Sequence, residues 1–129
     1  MNPPTPIRRV WTVYAALLTA AIVMGEAWNL GHGAVDARTL ANWVLTLVLL
    51  LATWGYALQR PIGAHRYWGP AFWVVSAATL ITTIPAAIAG RDAIAVVALM
   101  LLLVAPAFYA AYRYAFHSPQ VWRPREVGK

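Results

Sequence analysis

No cysteine occurs among the 129 residues of the chain. Disulfide bonds and thiol chemistry are therefore excluded, and so are disulfide-exchange enzymes of the four-helix membrane type, because their reaction needs thiolates.

Charged side chains are also scarce. They make up 11% of the residues, whereas hydrophobic residues make up 61%. Soluble domains are about a quarter charged and about half apolar, so an ordinary soluble domain is excluded. With 4 acidic residues against 10 basic ones, the formal net charge is +6, but the positions of the basic residues point to membrane topology, not to a nucleic acid as partner.

The apolar residues form four long uncharged runs, at 10–25, 39–59, 67–90 and 93–112. A helix needs about 20 mostly apolar residues to cross a bilayer, and an open sheet cannot cross because its edge amides would be unpaired. The runs predict an all-α membrane protein, a bundle of four transmembrane helices in a single domain over 1–129. The predicted helices span about 8–30, 37–59, 69–89 and 92–116, and a basic tail follows at 117–129.

Local signals place the helix ends. Thr5 stands where it can cap helix 1, Asp36 can cap helix 2, and Asp92 can cap helix 4. Arg60-Pro61 is expected to end helix 2, because the residue before proline avoids helical backbone angles. Gly69-Pro70 is expected to begin helix 3.

Basic residues are distributed unequally between the two sides of the predicted bundle. Short loops rich in Lys and Arg stay in the cytoplasm, so both termini are expected there, in the bacterial cytoplasmic (inner) membrane. Two basic residues, Arg38 and Arg91, lie on the opposite side. Eight of the ten belong to the side of the termini: Arg8, Arg9, Arg60, Arg66, Arg113, Arg123, Arg125 and Lys129.

The two halves of the chain resemble each other. Trp11 and the residues after it match Trp73 and the residues after it at an offset of 62, and Tyr56-Ala57 with Pro61 matches Tyr114-Ala115 with Pro119 at an offset of 58. Two hairpins in the same orientation form a parallel repeat. Chance is the other explanation, since Ala, Val and Leu match easily between membrane helices.

Glu26 is the one carboxylate inside an apolar run. It lies 16 residues after Val10, or about 24 Å along a helix, which places it towards the outer end of the membrane core. An acidic group at such a position is a functional hypothesis for an ion or proton site. The structural alternative is that Glu26 reaches the outer headgroups or pairs with Arg38 or Arg91. Thr82 and Thr83, close to the predicted kink at Pro85, are candidates for the same polar path.

Small residues four apart let membrane helices approach closely. Such positions occur in helix 1 and in helix 4, and their partner helix can lie in this chain or in another. They are Ala16, Ala20, Ala21 and Gly25 in helix 1 and Ala107, Ala111 and Ala115 in helix 4.

Basic residues at the inner surface suit lipid headgroups or a partner protein. Arg60 and Arg113 are candidates for one shared anion contact, and Arg123 and Arg125 in the tail are candidates for another. Alternatively, these basic residues serve only to orient the chain in the membrane.

No nucleophile–base pair, phosphate-binding glycine loop or metal-ligand spacing occurs in the sequence, so no enzyme activity, cofactor or metal is expected. Two hypotheses remain. In the first, the chain is a non-catalytic subunit or scaffold of a membrane assembly. In the second, it is an oligomeric pore or a small-solute or ion transporter that uses Glu26, Thr82 and Thr83. The expected partners are lipids and either further copies of this chain or other membrane subunits.

Overall fold

The computed structural model describes residues 5–33 and 35–123 and is all-helical over them. The helices are α1 (Pro6–His32), α2 (Ala37–Leu58), α3 (His65–Ile88), α4 (Arg91–Phe116) and the short α5 (Pro119–Trp122). The first four are long and apolar enough to cross a membrane, which indicates an integral membrane protein and confirms the prediction of a helical bundle with four long helices.

Helix 2 begins and ends as its sequence predicts. Asp36 Oδ1 accepts a hydrogen bond from the backbone N–H of Thr39 at 2.8 Å, which caps the first turn. At the other end Gln59 adopts left-handed backbone angles, with φ 53° and ψ 44°. The N–H groups of Gln59 and Arg60 then close the last turn on Tyr56 and Gly55.

The predicted start of α3 and the predicted Asp92 cap of α4 are wrong. Helix α3 begins at His65, four residues before Gly69, and holds Pro70 inside its second turn. Because Pro70 has no N–H, only the backbone hydrogen bond to the carbonyl of Arg66 is lost there. Gly69-Pro70 therefore does not break the helix. Helix α4 begins after Gly90, and Asp92 lies in its first turn without capping it.

Helix α2 is the centre of the bundle. It contacts α1, α3 and α4, and α4 also packs along α3. Leu47 and Leu51, by contrast, lie on the exposed surface of α2. Its contact surface is made by small side chains, since Ala52, Thr53, Gly55 and Ala57 are buried, and small residues let neighbouring helices approach closely.

The core lies at one end of the bundle, here called the terminal end because Thr5 and Trp122 both belong to it. The opposite end, where α1 joins α2 and α3 joins α4, is called the open end. Side chains there project outwards, such as Ile88 (78% exposed) and Ile94 (53%). The larger buried side chains are instead Leu18, Leu49, Val75, Tyr114 and Val121.

The start of the basic tail folds onto the terminal end. Val121 in α5 is buried, and the indole N–H of Trp122 donates to the carbonyl of Tyr114 at 3.0 Å. Ser118 is buried as well, and its hydroxyl donates to the carbonyl of Arg113. Residues 118–122 are thus part of the packed bundle, which the predicted surface tail did not anticipate.

Candidate functional site

An open cavity of about 640 Å³ lies at the open end, between the α1–α2 hairpin and α3. Its walls are the last turns of α1, the first turns of α2 and a single residue of α3, Thr82. The cavity includes Glu26, the one carboxylate that the sequence places inside an apolar run.

Among the lining residues with polar side-chain atoms, the three that lie farthest from their helix ends are here called the floor of this cavity. Glu26 lies six residues before the end of α1, Trp43 six residues after the start of α2, and Thr82 six residues before the end of α3. At a rise of about 1.5 Å per residue, each is about 9 Å from its helix end. The three side chains therefore lie at a common depth, below the loops.

A hydrogen bond connects the floor residues of α1 and α2. The indole N–H of Trp43 donates to Glu26 Oε2 at 2.7 Å, and both side chains are half-buried. Among the residues that the structure describes, Glu26 makes this bond to Trp43 and does not pair with Arg38 or Arg91, a pairing that the sequence had left open. Within residues 5–33 and 35–123, Trp43 is the hydrogen-bond donor to this carboxylate.

Thr82 lines the cavity, but its hydroxyl does not direct its hydrogen-bond donor into it. Its hydroxyl is directed to the carbonyls of Ala78 and Thr79, each at 3.0 Å. Thr83, the other threonine of the predicted polar path, does not line the cavity. Glu26 and Thr82 are thus brought together, while Thr83 is not.

Charged groups at the rim lie nearer the helix ends. Asp36 is the N-cap of α2, and Arg38 belongs to its first turn. His32 ends α1 with its Nδ1 2.8 Å from the carbonyl of Trp28. The hydroxyl and N–H of Thr39 both donate to Asp36 and hold the pKa of that carboxyl below its usual value. The cap therefore contributes fully to the stability of the fold at neutral pH. This contribution to stability is lost as the pH falls through the lowered pKa of Asp36.

The two sets of small residues have opposite environments. Ala107, Ala111 and Ala115 are buried within the chain, against the helices that flank α4. By contrast, the helix 1 set of Ala16, Ala20, Ala21 and Gly25 is exposed, and α1 buries Ala15 and Leu18 instead. A Cβ added at Gly25 would meet nothing within 4 Å. The α4 set packs inside the chain, and the α1 set is left facing outwards.

The basic candidates at the terminal end lie in different surroundings. Arg60 and Arg123 are exposed, whereas Arg113 is half-buried and its Nε is buried without a hydrogen-bond partner among the described residues. The carbonyl of Arg60 accepts a bond from the Tyr114 hydroxyl at 3.0 Å. Arg125 lies outside the described residues.

Trp43 is the floor residue that the sequence reasoning did not select. The sequence does contain a signal for Trp43, because residues equally far from the turn of a helical hairpin face each other. Glu26 and Trp43 are placed symmetrically about the turn between Gly33 and Asp36. A search for polar partners across that turn would have paired them.

Within the part of the chain that the structure describes, no three His, Asp or Glu side chains are grouped so that they could hold a metal ion. Comparison with known proteins finds no matching family model. It also finds no curated protein and no solved structure with significant similarity. The site must therefore be interpreted from its own geometry.

Proposed function

We propose that the protein is a non-catalytic subunit or scaffold of a membrane assembly. The observation that supports it is the contrast between α1 and α4. Both carry small residues four apart, but only those of α4 are covered within the chain, while Ala16 and Ala20 of α1 are exposed on one face. Lipid tails are as apolar as leucine, so helices associate in a membrane through close backbone approach. The face of α1 that carries Ala16 and Ala20 is suited to a helix from another polypeptide.

The variant Ala16→Leu with Ala20→Leu tests this face, because both alanines are exposed and lie four residues apart. Two isobutyl groups on it would keep a partner backbone at a distance, so we expect the partner to be released. The measurement is the mass and composition of the complex extracted gently from its native membrane, compared between wild type and variant. We expect a second polypeptide at fixed stoichiometry with the wild-type chain and its loss from the variant.

A matched control is Ala98→Leu with Ala105→Leu, since both alanines are exposed on α4. These changes add the same volume to a different face and should leave the complex intact. A complex of unchanged mass in the α1 variant would contradict the proposal.

An oligomeric pore or transporter is the second candidate. The observation that favours it is that Glu26 and Thr82, on separate helices, line one cavity. A homo-oligomer without a second polypeptide would support this candidate over the first. In that case Glu26→Gln should abolish flux while leaving insertion and oligomer size intact.

The finer architecture is also a proposal. We infer two parallel hairpins that arose by duplication, with both termini cytoplasmic and the chain in a bacterial inner membrane. The excess of Lys and Arg at the terminal end supports the orientation. The recurrence of Tyr-Ala before proline at Pro61 and Pro119 supports the duplication. On this orientation the cavity beside Glu26 opens to the outside.

A further inference from the structure

We propose that the cavity beside Glu26 binds an organic cation that carries an apolar group. The inference concerns binding at this cavity, and it holds whether the chain serves as a subunit or as a transporter. It is carried by the size of the cavity, the charge at its floor and the aromatic and aliphatic side chains of its walls.

The size of the cavity suits a small organic molecule. Ligand pockets usually measure about 300–1,000 Å³, and this cavity has a volume of about 640 Å³. A bare metal ion would fill a small part of it. Moreover, the described residues bring no three metal-ligating side chains together there. A ligand that fills the space must therefore have a body of several carbon atoms.

The charge at the floor selects a cation. A carboxylate has about four lone-pair positions, and Trp43 occupies one of them on Oε2 of Glu26. This bond orients the carboxylate and leaves Oε1 accessible to a ligand. Thr82 offers no competing donor to the cavity, because its hydroxyl is directed to backbone carbonyls of α3.

Opposite charges at the rim offset one another. Arg38 and Asp36 both lie at the start of α2, with Asp36 held in its charged form by Thr39. Arg38 is five residues before Trp43, or about 7.5 Å closer to the helix end. The ligand at the floor therefore meets the Glu26 carboxylate first, and the pair at the rim carries no net charge.

The walls supply the contacts that an organic cation needs. Trp28 and Trp43 line the cavity, and so do the aliphatic side chains of Leu30 and Leu45. Indole faces attract cations that lie within about 6 Å of the ring centre. Leucine side chains contact an apolar group without requiring a hydrogen bond. A quaternary ammonium with an aromatic substituent can contact the Glu26 carboxylate at the floor and the aromatic and aliphatic side chains of the walls at the same time.

The test uses the full chain in dodecyl maltoside micelles, which carry neither charge nor an ammonium group, and benzyltrimethylammonium as the probe. Phenylmethanesulfonate is the matched anion, with a similar body and the opposite charge. Binding is measured by isothermal titration calorimetry. We expect saturable binding of one benzyltrimethylammonium per chain and none of phenylmethanesulfonate.

Glu26→Gln should weaken this binding about tenfold, the loss expected when one charge–charge contact at a partly exposed site is removed. Glutamine keeps an acceptor for the Trp43 indole, so the hairpin stays assembled. Asp92→Asn is the matched control, because Asp92 is exposed in α4 and does not line the cavity. Equal affinity of wild type and Glu26→Gln would overturn the proposal.

A second pair of variants tests the place of binding independently of charge. Thr82→Phe puts a ring into the cavity and should reduce the affinity at least tenfold. Thr83→Phe adds the same ring at the adjacent position, which does not line the cavity, and should leave the affinity unchanged. Equal binding by both variants, or equal binding of the anion by wild type, would show that the probe binds elsewhere.

Discussion

Replacing Gly55 by alanine is expected to lower the free energy of unfolding by about 3 kcal/mol, the upper part of the range for overpacked sites. An added Cβ would lie 2.6 Å from Cζ of Tyr114 and 2.8 Å from its hydroxyl oxygen. Either the Tyr114 ring or the backbone of α2 must move to accommodate it.

The Tyr114 ring cannot move away at low cost. It is fully buried, and its edge contacts with Trp68 and Trp122 have centroid distances of 5.1 and 4.8 Å. Its hydroxyl donates to the carbonyl of Arg60 and accepts from the N–H of Ile62 at 2.8 Å. Any displacement breaks these bonds, which hold the α2–α3 connection against α4.

Unfolding in mixed micelles with increasing SDS measures this effect. Gly25→Ala is the matched control, since it makes the same change in a transmembrane helix where nothing lies within 4 Å, and it should be neutral or slightly stabilising. A second check is Gly55→Ala in a Tyr114→Leu background, where most of the penalty should disappear. Gly55→Ala with the stability of wild type would contradict the close contact.

Replacing Tyr14 by phenylalanine is expected to destabilise the protein by about 3 kcal/mol, because it removes two hydrogen bonds to backbone groups of α4 in an apolar environment. The Tyr14 hydroxyl donates to the carbonyl of Leu103 at 2.8 Å and accepts from the N–H of Ala107 at 3.1 Å. It therefore bridges two groups that would bond directly in a regular helix.

Pro106 lies within this contact, directly before Ala107. A proline inside a helix displaces the preceding turn and loosens the hydrogen bonds beside it. The Tyr14 hydroxyl supplies a hydrogen bond to a backbone group on each side of Pro106, and an apolar membrane environment requires such groups to be hydrogen-bonded. Tyr14 thus connects α1 to α4, although α1 packs mainly against α2.

Tyr109→Phe is the control for this prediction. Tyr109 is 52% exposed on the same part of α4, and its hydroxyl makes no hydrogen bond within the described residues. Loss of the Tyr109 hydroxyl should change the free energy of unfolding by less than about 0.5 kcal/mol. If Tyr14→Phe and Tyr109→Phe unfold at the same SDS fraction, the bridge has no stabilising role.

The long helices were predictable because hydropathy and caps act locally. The Asp36 cap depends only on Thr39, three residues away, and the uncharged runs already define four spans. The centre of the bundle was not predictable in the same way. In a membrane, leucine suits lipid and protein contacts equally, so the leucines of α2 carried no information about which helix is central.

The candidate site was predictable in part. Glu26 stands out because a carboxylate in an apolar run is costly, and its partner Trp43 follows from the geometry of a hairpin. The exclusion of Thr83 from the cavity depends on the rotation of α3, and the contact of Tyr14 with Leu103 joins residues 89 positions apart. Neither leaves a local pattern in the sequence.

The most direct test of this account is the accessibility of single cysteines, which the absence of native cysteine makes unambiguous. Exposed positions are Asp92 at the open end and Ala64 and Gln120 at the terminal end. In right-side-out spheroplasts, a membrane-impermeant maleimide should label Asp92→Cys alone, and after permeabilisation it should label all three variants. Labelling of Ala64→Cys or Gln120→Cys in intact spheroplasts, or protection of Asp92→Cys there, would contradict the orientation and with it a cavity that opens to the outside.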